Sequence, residues 1–192
     1  MKYTLCSTNP EMIEAWKVCF KEYPEVVIKK KNIVKINSDA VVSSANSFGY
    51  MDGGLDLALS EHFGWHIQEE LITRIKQLPM RELLVGQTMV IETKDKKTPY
   101  LISCPTMRIP SSHNIPESVN AYLCMKATLI TAKDHTEINS VSIPAFCAGV
   151  GEMPVEIVAR QMLWAYLEIE LERQVKHDSF HEVRDLHFLL TS

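Results

Sequence analysis

The chain has 192 residues, enough to bury a substantial core without disulfide or metal staples, and its 46% hydrophobic and 23% charged content is that of an ordinary globular protein. A net charge of −4 argues against nonspecific attraction to nucleic-acid phosphate, so nucleic acid is not an expected partner, and an anionic ligand would have to be held by backbone amides rather than by a basic field. Cys6, Cys19, Cys104, Cys124 and Cys147 form no CxxC pair or zinc spacing, no apolar run approaches membrane-spanning length, and the MKYTLCSTNP start is too short and polar for a signal peptide. These features point to free thiols in a cytoplasmic protein, with no metal, cofactor or membrane partner expected.

In chain order, Tyr3–Cys6 reads as a strand, and Thr8-Asn9-Pro10-Glu11 supplies a cap and an N-terminal proline for a helix. Met12, Ile13, Trp16, Cys19 and Phe20 give that helix one apolar face, and Pro24 ends it. Val26–Ile28 is a second strand, and the lysines at 29, 30 and 31 read as its solvated end more readily than as a phosphate patch. After Asn32-Ile33-Val34 and a polar turn, the β-branched run Ala40-Val41-Val42 forms a central strand that gives way at Ser43-Ser44-Ala45-Asn46 to a glycine loop. A helix opens at Leu55, is interrupted at Gly64, and restarts with Trp65, Ile67, Leu71, Ile72 and Ile75 up to Pro79. Thr88–Glu92 and Tyr100–Cys104 read as paired strands, and Pro105–Pro116 as a long loop of the kind that is often functional. A helix over Glu117–Lys133, a buried strand over Val141–Ala145, a second glycine loop and a helix opened by Pro154 follow. Ser179-Phe180-His181-Glu182 is a candidate capping box, though a terminal strand fits the tail nearly as well. The alternation predicts one domain over residues 1–192 with a three-layer α/β/α fold around a mixed sheet.

Two stretches carry the chemistry. In VSSANSFGYMDGGLD, residues 42–56, a strand ends in a glycine loop and a helix N-terminus, which is how α/β proteins bring backbone N–H groups to anionic or ribose-bearing ligands. Phe146-Cys147-Ala148-Gly149-Val150-Gly151-Glu152-Met153-Pro154 repeats that arrangement, and successive amides there, aided by a helix dipole, would hold a diphosphate without a lysine. Asn46 is either a turn-former or a partner for a pair of hydroxyls, since its amide both donates and accepts. Asp56 either stabilises a helix dipole or serves as a general base beside a ribose.

Both stretches resemble the macrodomain signature. The family's hydrophobic strand ending in V-N-A-A-N and its G-G-G-V-D-x-A-I loop and helix read here as V-S-S-A-N and G-G-L-D-L-A-L, and the family's phosphate loop, S-T-G-hydrophobic-aromatic-G, is matched by Cys147, Ala148, Gly149 and Val150. Gly151 stands where the aromatic is usual, so the ring that packs on the distal ribose is missing or comes from Phe48, Tyr50 or Trp65. The resemblance implies binding of ADP-ribose or an ADP-ribosylated protein or nucleotide derivative. It places Asn32 and Ile33 at the adenine, Ala45, Asn46, Gly53, Gly54 and Leu55 along the first loop, and Cys147–Gly151 at the diphosphate. It implies catalytic roles for Asp56 and Asn46. Asn32 replaces a family aspartate that accepts from the adenine amino group, which weakens the expected preference for adenine. Two function classes follow: a hydrolase acting on a substituent of the distal ribose, or a non-catalytic module that senses ADP-ribose or a related nucleotide.

Four other features lead elsewhere. Gln68-Glu69-Glu70 has the letters of a poly(ADP-ribose) glycohydrolase motif but not its position next to the glycine run. His62 and His66 have helical ligand spacing, yet no glutamate follows the first histidine and Gly64 disturbs the helix, so they read as surface residues. Cys147 has no local acid–base partner to mark it as a nucleophile. Arg108 is read as either a pocket border or a surface arginine.

Overall fold

A computed structural model describes residues 1–172 and 178–192. The strands are β1 (Lys2–Ser7), β2 (Val27–Lys30), β3 (Ala40–Asn46), β4 (Met89–Glu92), β5 (Tyr100–Met107) and β6 (Ser140–Ile143). The helices are α1 (Pro10–Cys19), α2 (Gly54–Phe63), α3 (His66–Gln77), α4 (Asn120–Asp134), α5 (Val155–Ile169) and α6 (Phe180–Thr191), with one 3-10 turn at Ile33–Lys35. Among the described residues no helix is long and apolar enough to cross a membrane.

The strands form one sheet in the order β2-β1-β6-β3-β5-β4, parallel except for the antiparallel β4–β5 edge. The alternation of side chains along each strand feeds two cores. Ala40 and Val42 of β3, with Ile102 and Cys104 of β5, pack against α1, α4 and α5 on one face. Val41 and Leu101, the intervening residues, pack against Leu59 of α2 and Ile67, Leu71 and Ile75 of α3 on the other. This is the three-layer mixed-sheet fold that the alternation of elements predicts.

Local chemistry sets the element ends. The Asn9 side chain accepts from the Glu11 amide at 2.9 Å and Pro10 occupies the first turn of α1, as the sequence suggests. Gly64, at φ 101°, separates α2 from α3. The tail is helical rather than extended, with Ser179 Oγ accepting from the Glu182 amide at 3.3 Å. Strand β5 runs on through Pro105 to Met107, so the long loop begins only after Met107. Pro105 is tolerated there because it lies past the last β4 partner of β5, Ser103, and at a register shift against β3.

Three helices meet at one side chain. Gln161 of α5 is fully buried, and its Nε2 donates to Ser118 O at 2.8 Å before α4 and to Leu190 O at 3.0 Å in α6. Its Oε1 accepts from the Tyr122 amide of α4 at 3.1 Å, so nearly all its hydrogen-bonding capacity is used in fastening these elements together.

Because β1, β6, β3 and β5 are parallel, their carboxyl ends and the loops that follow lie along one edge of the sheet. β3 and β6 pair only at Ala40–Val141 and Val41–Ser142, then part. A crevice at the carboxyl ends of parallel strands is where ligands bind in open α/β sheets.

Candidate functional site

That crevice is a cavity of about 580 Å³. It takes in the end of β1 (Ser7, Thr8 and Asn9), the turn at Asn32 and Ile33, the glycine loop after β3, and the loop after β6. Every site residue expected from the sequence lines it. Ala45, Asn46, Gly53, Gly54, Leu55 and Asp56 stand on one wall, Cys147, Ala148, Gly149, Val150 and Gly151 on the facing one, and Asn32 and Ile33 at one end.

The second loop is built to present its backbone. Fully buried Phe146 anchors it, Glu152 N donates to Gly149 O at 3.0 Å, and Met153 N donates to Cys147 O at 3.1 Å. Among the described residues the amides of Ala148, Gly149, Val150 and Gly151 have no partner in the protein, so they remain available to an anion. A Cβ on Gly149 would meet nothing within 4 Å, because that position faces the open cavity. Gly151 differs: a Cβ there would lie 2.6 Å from Cys147 O and 2.7 Å from Ile115 Cγ2. The ring usual at this position therefore has no room, since Ile115 from the 108–116 loop occupies its space. Tyr50 is the aromatic residue that lines the cavity; Phe48 and Trp65 do not.

The first loop is wound around Asn46. Its Nδ2 donates to Tyr50 O at 2.7 Å, and its Oδ1 accepts from Phe48 N at 3.0 Å. The carboxamide is thus engaged in holding the loop, as a turn-forming asparagine does, and it keeps one N–H for anything else. Met51 is clamped from both sides, with Gln68 Oε1 of α3 accepting from its amide at 2.6 Å and Ser60 Oγ of α2 donating to its carbonyl at 3.0 Å. Gln68 thus has a structural task that its place in the Q-E-E run does not convey. Among the described residues the amides of Gly54, Leu55 and Asp56 at the N-terminus of α2 have no partner in the protein and belong to residues that line the cavity, as the first N–H groups of a helix must find partners outside it.

Asp56 lies in that first turn, buried, with its Oδ1 accepting from Ser43 Oγ. Burial pushes its carboxyl up from the ordinary 3.8 to about 6; the Ser43 bond opposes this and the nearby Asp52 charge adds to it. At neutral pH the group is mostly ionised yet basic enough to take a proton, the condition for a general base. Ser43 itself is fully buried on the α2 side of β3.

Other sequence features fall outside this chemistry. The Asn32 Oδ1 caps the 3-10 turn by accepting from Val34 N at 3.2 Å, with its second lone pair still open. Cys147 has a positive φ of 62°, and burial pushes its thiol up to about 12, so it is not a thiolate at neutral pH. Arg108 is held by Glu82 through two bonds of 2.8 and 2.9 Å and lies over the Phe48 ring, away from the cavity. Among the described residues no cluster of histidine, cysteine and carboxylate side chains is arranged to hold a metal.

The Macro domain family model matches residues 42–162, more than half the chain and both glycine loops. The chain belongs to the macro domain family. An uncharacterized protein of Aeropyrum pernix is 33% identical over 140 residues, 73% of this macrodomain and 69% of that relative. Another from Aquifex aeolicus is 28% identical over 139 residues, covering 72% of this chain and 79% of its own. The same fold recurs in the macrodomain of Mycobacterium tuberculosis DarG (TM-score 0.61, 19% identity, 73% of this chain and 88% of that one). It recurs again in the Oceanobacillus iheyensis macrodomain solved with ADP (TM-score 0.63, 17% identity, 83% and 88%).

Proposed function

We propose that this macrodomain binds ADP-ribose, with the diphosphate over the amides of residues 147–151, the adenine toward Asn32 and Ile33, and the distal ribose beside Asn46 and Asp56. Similar folds from Oceanobacillus iheyensis were solved with ADP and with ADPR, and one from Trypanosoma brucei with ADP. We further propose hydrolysis of a substituent on the distal ribose: an ADP-ribosyl–protein ester, O-acetyl-ADP-ribose or ADP-ribose 1″-phosphate. The observation that carries this step is Asp56, a buried carboxylate in the cavity wall with its affinity for protons raised into the working range of a base.

For an ester, water oxygen bonds to the acyl carbon while Asp56 takes the water proton. The bond from acyl carbon to ribose oxygen then breaks, and that oxygen takes the proton back from Asp56, releasing carboxylic acid and ADP-ribose. Roughly 10²–10⁴-fold of rate is the usual contribution of such a group, so Asp56→Ala should lose about that much turnover while ADP-ribose affinity changes far less. Release of ADP-ribose from a mono-ADP-ribosylated protein, and of phosphate from ADP-ribose 1″-phosphate, is the measurement. Activity that persists in Asp56→Ala would remove Asp56 as the base.

A non-catalytic reader is the second reading. It is favoured by the engagement of Asp56 with Ser43 and of Asn46 with its own loop, which leaves both polar groups with structural work already in hand. Firm ADP-ribose binding with no turnover of either substrate by the wild-type chain would select it.

A further inference from the structure

Beside the main cavity, on the outer side of the same loop, is a groove of about 470 Å³ lined by Phe48, Tyr50, Ile72, Ile75, Lys76 and Arg81. Tyr50 lines both spaces, so the groove and the cavity adjoin at this residue. The wall is fixed. Asn46 pins residues 48 and 50, and Gly49 (φ 79°) lies flush on α3, where a Cβ would be 2.9 Å from Leu71 Cγ.

The groove has a composition of its own. Its floor is apolar, from Phe48, Ile72 and Ile75, and its edge carries two cations. Arg108, the neighbouring cation, is consumed by Glu82. Among the described residues Lys76 and Arg81 have no acidic partner, although the chain as a whole carries a net charge of −4. Two unpaired cations over an apolar floor are complementary to an extended segment that offers apolar side chains and carboxylates together.

We propose that this groove receives the polypeptide that carries the ADP-ribose, binding an acidic segment with apolar side chains next to the modified residue. The inference rests on the proposed placement of the distal ribose beside Asn46, since Asn46 fastens the Tyr50 wall and the attached chain would leave the cavity there. It selects protein-linked ADP-ribose over O-acetyl-ADP-ribose and ADP-ribose 1″-phosphate, whose small substituents carry no peptide segment to fill the groove.

The test is made by binding, so that it holds whether or not the protein is an enzyme. A non-hydrolysable ADP-ribosyl peptide with glutamate and leucine flanks is compared by calorimetry with free ADP-ribose and with the same conjugate bearing lysine and glycine flanks. The variant is Lys76→Glu with Arg81→Asn, asparagine being tolerant of the left-handed backbone at position 81 (φ 54°). Two ion pairs at the groove edge with some apolar burial should tighten the acidic conjugate about tenfold over free ADP-ribose. The variant should lose that gain and keep its affinity for ADP-ribose. Equal affinity for the two conjugates, or a gain that survives in the variant, overturns the groove. Failure of free ADP-ribose to bind would instead overturn the function proposed above. The unlinked acidic peptide then decides the groove separately: amide shifts confined to Phe48, Ile72, Ile75 and Arg81 and lost in the variant support it, and their absence overturns it.

Discussion

Replacing Asp56 by asparagine should make the protein more stable at neutral pH and less useful. The carboxyl is buried and its pKa is raised from 3.8 to about 6. A raised acid binds its proton more tightly folded than unfolded, so this group's contribution to stability is fully present below pH 4 and is lost as the pH rises through 6. A tenfold change in proton affinity is equivalent to ~1.4 kcal/mol, which puts the cost of the buried charge near 3 kcal/mol at pH 8. Asparagine carries no charge and its Oδ1 can still accept from Ser43 Oγ, but its Nδ2 needs a partner where Asp56 had an oxygen, which costs about 1–3 kcal/mol. The net gain at pH 8 is then about 0–2 kcal/mol, or up to roughly 8 °C in Tm for a chain of this length. Thermal melts of wild type and Asp56→Asn from pH 3.5 to 8 measure it. Toward pH 4 the wild type regains most of that ~3 kcal/mol as its folded-state carboxyl takes up its proton, so the variant's advantage should vanish and reverse. A difference that does not vary with pH would show that Asp56 bears no buried charge, and the case for it as a base would go with it.

Two further outcomes follow from the loops. Gly149→Glu should abolish ADP-ribose binding in a folded protein, because the new side chain enters the cavity without touching the protein; unchanged calorimetric affinity would take the diphosphate off this loop. Asn32→Asp should tighten ADP-ribose, since a charged acceptor supplies about 1.5–3 kcal/mol against about 0.5–1.5 for a neutral one, with little gain for inosine diphosphate ribose. Either acceptor can still cap Val34, so equal gains for both ligands would mean that residue 32 does not read the base.

The parts of this molecule that could be read from its sequence are those fixed by near neighbours. Asn9 and Pro10 announce α1, Gly64 separates α2 from α3, and the two glycine loops are legible because strand, loop and helix follow each other directly. What escaped reading depends on partners distant in the chain. Ser43 looks like the end of a β-branched run, yet β3 continues through it and its hydroxyl meets Asp56 thirteen residues later. Its signal was periodicity: Val41, Ser43 and Ala45 share a buried face of β3, and a serine there needs a partner. Gly151 could be seen to replace an aromatic, but not that Ile115 already fills the space. Pro105 reads as a strand terminator because proline usually is one, and it is harmless because β4 begins only at Met89, opposite Ser103. Asp52, whose charge acts on Asp56, had no feature to distinguish it from any loop carboxylate.

The span by which inheritance can be recognised here, residues 42–162, is narrower than the set of residues that closes the fold. Cutting the chain to that span would remove β1 and β2, baring the edge of β6 and taking away Ser7, Thr8 and Asn9 from one side of the cavity. It would sever α5 within its length and take away the Leu190 carbonyl to which Gln161 Nε2 donates, undoing the fastening of α5 to α6. Residues at both extremes of the chain are thus mechanical parts of a pocket whose two glycine loops lie in the middle: they supply a strand beside β6 and a carbonyl above Gln161.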